Sequence, residues 1–191
     1  MLRRLLAAAA TTTILAVCLI TGRSGFALAD QRDSRLDGLF ERLRSTSSAA
    51  EAGAIEQQIW QIWLESDDPS LNRLMRQGVR AMRDQHLEAA LRSFDRLVEE
   101  APEFAEAWNK RATVHFLMGS WRASVLDIRQ TLALEPRHFG ALFGLGMIYD
   151  ALEEPEAALR SYEATIVLNP HSESTRQRVE ELRRQLRGRR T

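Results

Sequence analysis

Cysteine is nearly absent from this 191-residue sequence: the single one, Cys18, lies in an apolar N-terminal stretch. A disulfide framework is therefore excluded as the source of stability. Net charge is equally scarce, because 26 basic side chains face 26 acidic ones. Without a basic excess to neutralise phosphates, the composition gives no footing for nucleic-acid binding. Ten Gly and five Pro are too few for a collagen-like or low-complexity chain. Catalytic patterns are missing too: there is no phosphate-cradling glycine loop, no nucleophile elbow and no His-Glu-x-x-His helix. His86, His115, His138 and His171 are scattered and read as surface residues, short of the ligand set that zinc requires. Neither cofactor, metal nor enzymatic activity is expected.

The first 29 residues read as an export segment rather than as part of the fold. Arg3 and Arg4 supply a positive start, and Leu5 to Ile20 then run 16 residues without a charge. Ala27-Leu28-Ala29 has the small–x–small spacing of a signal-peptidase site, just before the polar run from Asp30. The apolar run is shorter than the ~20 residues a spanning helix needs. A cleaved signal (1–29) and a periplasmic location are the expectation. A lipoprotein anchored through Cys18 is the alternative, weakened by bulky Val17 just before it. Cleavage would leave 23 basic and 26 acidic groups and no cysteine.

What is present in abundance is repetition. Pro102, Pro136 and Pro170 stand 34 residues apart. Twenty-four residues before each is a small residue (Gly78, Ala112, Gly146), and 12 before each another (Ala90, Ser124, Ala158). Eight before each is a large one: Phe94, Ile128, Tyr162. Apolar residues at helical spacing fill the intervals, as in Leu74, Gly78, Ala81 and Met82. This predicts helix–turn–helix units in which small columns let helix axes approach while the large column fills the groove between neighbouring hairpins. Gly119-Ser120 breaks the second unit, and Pro155 sits where a helix would begin. One such hairpin cannot bury enough surface to fold alone, so units must stack.

These columns resemble the tetratricopeptide repeat, most faithfully in the third copy, Leu142…Leu145-Gly146…Tyr149…Ala158…Tyr162…Pro170. The resemblance covers 71–172 and implies an all-α, right-handed α-α superhelix of three repeats, 71–104, 105–138 and 139–172. Helical caps are expected at both ends. Residues 30–70 carry two further patterns, Leu36, Leu39, Phe40, Leu43 and Ile55, Ile59, Ile62, Trp63. They predict a hairpin shielding the open end of the first repeat, with Asp68-Pro69 opening the array. Exposure of Trp60 and Trp63 as partner anchors is the alternative. Residues 173–191 predict a final helix through Val179, Leu182 and Leu186. Its Arg-rich tail reads as a solvated end, with weak contact to an anionic surface as the sharper reading.

The resemblance also implies a working surface, since first helices line the concave groove in that family. The corresponding slots hold Asn72, Met75, Arg76, Val79 and Met82, then Asn109, Lys110, Thr113, Phe116 and Arg137, then Phe143 and Met147. The slots of the family's chaperone-carboxylate clamp hold Met75, Val79, Lys110, Gly140 and Gly144, so only Lys110 of five is polar and that activity is not expected. Gly140 and Gly144 leave room for a bulky partner side chain. The functional expectation is a non-enzymatic adaptor binding a protein or peptide segment in this groove, as a monomer or weak dimer. A self-assembling structural protein using the N-terminal helix or the convex face is the alternative.

Overall fold

The computed structural model describes residues 33–188, so the export segment, Cys18 and the tail arginines Arg189 and Arg190 lie outside the described residues. Within them the chain forms nine helices and no strand element: α1 (Arg35–Ser45), α2 (Ala49–Leu64), α3 (Pro69–Arg83), α4 (Leu87–Glu100), α5 (Ala105–Leu117), α6 (Trp121–Leu134), α7 (Phe139–Ala151), α8 (Pro155–Leu168) and α9 (Glu173–Gly188). Helix starts follow local chemistry. Ser48 accepts the Glu51 N–H at the head of α2, and Asp68 accepts the Ser70 N–H ahead of Pro69 on α3. Pro155 occupies the first turn of α8, where its missing N–H costs nothing.

Helices α3 to α8 pair as three antiparallel hairpins that stack into a helical-repeat superhelix, with α9 packed on α8. The turn inside each hairpin places one residue in the left-handed region, Gln85 (φ 60°), Gly119 (φ 73°) and Glu153 (φ 57°), again 34 apart. The columns explain the close pairing, with one correction. A Cβ at Gly78 would meet the Phe94 ring at 2.6 Å, and one at Gly146 would meet the Tyr162 ring at 2.5 Å. The large residue therefore packs first inside its own hairpin, against the small residue 16 positions earlier, rather than only between hairpins. Ser124 tightens the second unit by donating its hydroxyl to the Ala112 carbonyl at 2.8 Å.

The α1–α2 hairpin does not shield the open end of the first repeat. It lies across the N-terminal ends of the first helices: α2 touches α5, α1 touches α8, and Phe139 at the start of α7 joins the hairpin's core. The reason is legible in α3. Its outward face carries Arg73, Arg76, Gln77, Arg80 and Arg83, all exposed, while Leu71, Leu74, Met75 and Gly78 are buried opposite. That end of the array is already polar and needs no cover. Phe139 and the ring of His138 on the inner side do need it, and they are 3% and 0% exposed beneath the hairpin.

Candidate functional site

Helix α5 lies against α3 on one side and α7 on the other, so the first helices of the three hairpins share one concave surface. The hairpin divides this surface. Over the N-terminal halves of α5 and α7 it builds a closed aromatic and ionic cluster; over their C-terminal halves the groove stays open.

In the closed half, Trp63 stacks on the His138 ring with centroids 4.1 Å apart and 12° between planes. Trp60 meets Phe139 edge-on at 5.3 Å and lies against Gly140, where a Cβ would collide with it. His138 caps α7, because its Nδ1 accepts the Ala141 N–H at 3.1 Å. The ring proton therefore sits on Nε2, which donates to Glu106 Oε2 at 2.8 Å. The same oxygen accepts from Asn109 Nδ2 at 2.9 Å, and Lys110 Nζ stands 2.8 Å from Oε1. Burial pushes the Glu106 carboxyl upward, but the Lys110 charge and the His138 hydrogen bond outweigh it and hold it down at about 2. Arg137 is gripped by Glu135 and by Asp37 of α1 at 2.6 Å, and lies over the Phe40 ring.

The twelve groove residues expected from sequence thus separate. Lys110 and Arg137 belong to this internal cluster, and Asn109 is tied into it through Glu106 while also lining the cavity between α5 and α7. Asn72 instead ties down the α2–α3 link, donating to the Ser66 carbonyl and accepting the Ser66 N–H at 2.9 Å. Met75 is core, 2% exposed between α3 and its neighbours, and Val79 and Met82 are half-buried against the same core. Arg76 is exposed on the outward face of α3. Thr113, Phe116, Phe143 and Met147 do converge: with Gly144 and Ile128 they line a cavity of about 240 Å³ between α5 and α7. A Cβ at Gly144 would meet only Ile128, at an ordinary 3.6 Å, so the missing side chain is part of what leaves the space.

One expectation changes here: His138 is not a surface residue. The alternative of Trp60 and Trp63 as exposed anchors falls, since both face the array. The room left by Gly140 is filled by Trp60 of the same chain. Sequence reasoning missed Glu106 because its burial depends on His138, 32 positions away, and on the covering hairpin; the local signal was its spacing three and four residues before Asn109 and Lys110. At the far end, Arg178 grips Asp150 through two hydrogen bonds of 2.8 Å, and Tyr162 donates to the same carboxylate at 2.9 Å. Burial opposes ionisation, yet these donors hold Asp150 below its ordinary range. Arg176 and Arg183 of α9 are paired with Glu173, Glu163 and Glu180, so much of that helix's positive charge is neutralised internally. Among the described residues, no group of three His, Cys, Asp or Glu side chains could hold a metal, and no helix is long and apolar enough to cross a membrane.

A tetratricopeptide repeat family model matches residues 75–121 and 118–173. A TPR repeat-containing protein of Rhizobium etli is 34% identical over 157 residues, covering 82% of this chain and 77% of that protein. The chain belongs to the tetratricopeptide repeat family. In fold it is similar to the Sgt2 TPR domain from Aspergillus fumigatus, with a TM-score of 0.60 and 19% identity over 65% of this chain and 84% of that one. It is also similar to the first TPR of Spaghetti (RPAP3) bound to the HSP90 peptide SRMEEVD, with a TM-score of 0.59 and 18% identity over 63% of this chain and 95% of that one.

Proposed function

We propose that this protein is a non-enzymatic adaptor of the cell envelope that captures a segment of a partner protein, seating one apolar side chain of that segment between α5 and α7. The carrying observation is the open cavity of about 240 Å³ lined by Phe116, Phe143 and Met147, which the fold leaves unfilled beside a groove otherwise closed by the chain's own hairpin. Aromatic and Met side chains around a preformed apolar space suit an adaptable hydrophobic anchor. That solved relatives in fold include a peptide-bound TPR supports a peptide-type partner. A carboxylate clamp is not the means, since four of its five slots are apolar or Gly and Lys110 is committed to Glu106.

Gly144→Leu tests this reading, because it fills the cavity from a position with no tight neighbour. Pull-down from envelope extracts with the wild type as bait should retain a discrete protein that Gly144→Leu loses while its helical circular dichroism and melting stay close to wild type. Retention by both would move the site elsewhere. The envelope location rests on the export segment at 1–29. Intact-mass measurement of protein from a periplasmic extract should give a chain beginning at Asp30; a chain retaining Met1 would contradict it.

A further inference from the structure

The hairpin is joined to the array in an unusual way. Its buried cluster, from Leu36 to Trp63, contains only Phe139 from the repeats, with Leu168 alongside, and of the hairpin only Leu64, at the end of α2, packs against a cluster of the array. Two side-chain polar contacts span the junction at its edges: Asp37 with Arg137, where Asp37 is 84% exposed, and Glu56 with the buried Asn169. The exposed Asp37–Arg137 pair holds weakly. Inside the junction, the Trp63 Nε1–H is buried without a hydrogen-bond partner. Such an orphaned donor penalises the docked state and disappears as a cost once the indole reaches water. The connection to α3 is only Glu65-Ser66-Asp67-Asp68.

The surface beneath is shaped for its occupant. Gly140 provides the recess for Trp60, His138 provides the flat ring for Trp63, and Lys110 Nζ lies 5.2 Å from the centre of the Trp60 ring. Glu56, one turn before Trp60, accepts from both the Trp60 indole and Asn169.

We infer that the α1–α2 hairpin is a releasable occupant of the groove, and that the surface it covers is a second docking site, distinct from the open cavity, for an amphipathic helix supplied by a partner and carrying two indoles one turn apart with an acidic residue one turn before the first. The tethered hairpin competes for this site at high effective concentration, so the free surface is a minor state and partner binding is weakened by that fraction.

The test is a titration of full-length chains with a fluorescein-labelled synthetic peptide of residues 49–65. Trp60→Ala with Trp63→Ala in the protein vacates the site while leaving the receiving residues intact. Saturable binding at least tenfold tighter than to wild type is expected, and it should vanish when both Trp residues of the peptide are Ala. Equal titration of wild type and variant, or binding indifferent to the peptide's indoles, would overturn the inference. Hydrogen exchange on the wild type provides an arm that does not depend on the variant folding. Amides of α1 and α2 should exchange at least tenfold faster than those of α5 and α7, and equal protection would show the hairpin to be inseparable.

Discussion

A methyl group at Gly146 would lie 2.5 Å from the Tyr162 ring, which is 2% exposed and anchored through its hydroxyl to Asp150. The ring has nowhere to go, so the hairpin must open. Gly146→Ala is expected to destabilise by about 1–3 kcal/mol, against the ~1 kcal/mol that Ala normally gains over Gly in a helix. Gly38 is the contrasting case, with nothing within 4 Å of its would-be Cβ. There the propensity gain stands alone, and Gly38→Ala should stabilise by about 0.5–1 kcal/mol. Urea midpoints at constant m-value measure both. Opposite signs are predicted; two stabilising results would mean that the small column is not set by contact with the large one.

At the scale of elements, α2, α5 and α7 meet at Glu106, and acid should loosen that meeting. The folded carboxyl titrates at about 2 against an ordinary 4.5. As pH falls, the unfolded chain takes up the proton first, so the contribution is complete above about pH 4.5 and declines toward pH 2. Glu106→Gln should destabilise at neutral pH by roughly 3–5 kcal/mol through the unpaired Lys110, and its melting temperature should vary less than wild type between pH 5 and 2.5. An acid profile as steep as wild type would place the titrating group elsewhere. The hairpin repeat was legible from sequence because its determinants are local: side-chain size at fixed intervals, Asp68-Pro69, Gly119 and Pro155. The seat of α1–α2 was not, because it depends on contacts such as Asp37 with Arg137, 100 residues apart. Of the groove, sequence located Thr113, Phe116, Phe143 and Met147 through the family's slots. It could not foresee that Asn109, Lys110 and Arg137 would be taken up internally, since no spacing announces a covering element.

As a whole molecule the chain departs from a simple linear stack. In an array each unit touches only its neighbours, but Asp37–Arg137 and Glu56–Asn169 bring the N-terminal hairpin onto the second and third repeats. The groove is thereby shortened to the C-terminal halves of α5 and α7, and the exposed face of α3 is left to end the stack. Photo-crosslinking in the cell tests this arrangement most directly, with a photoreactive residue placed at Phe116 in the open groove or at Val167, which is 70% exposed on α8. A light-dependent adduct of one discrete mass is expected from position 116, abolished by Gly144→Leu, and none from position 167. Adducts from position 167 with none from 116 would contradict this arrangement.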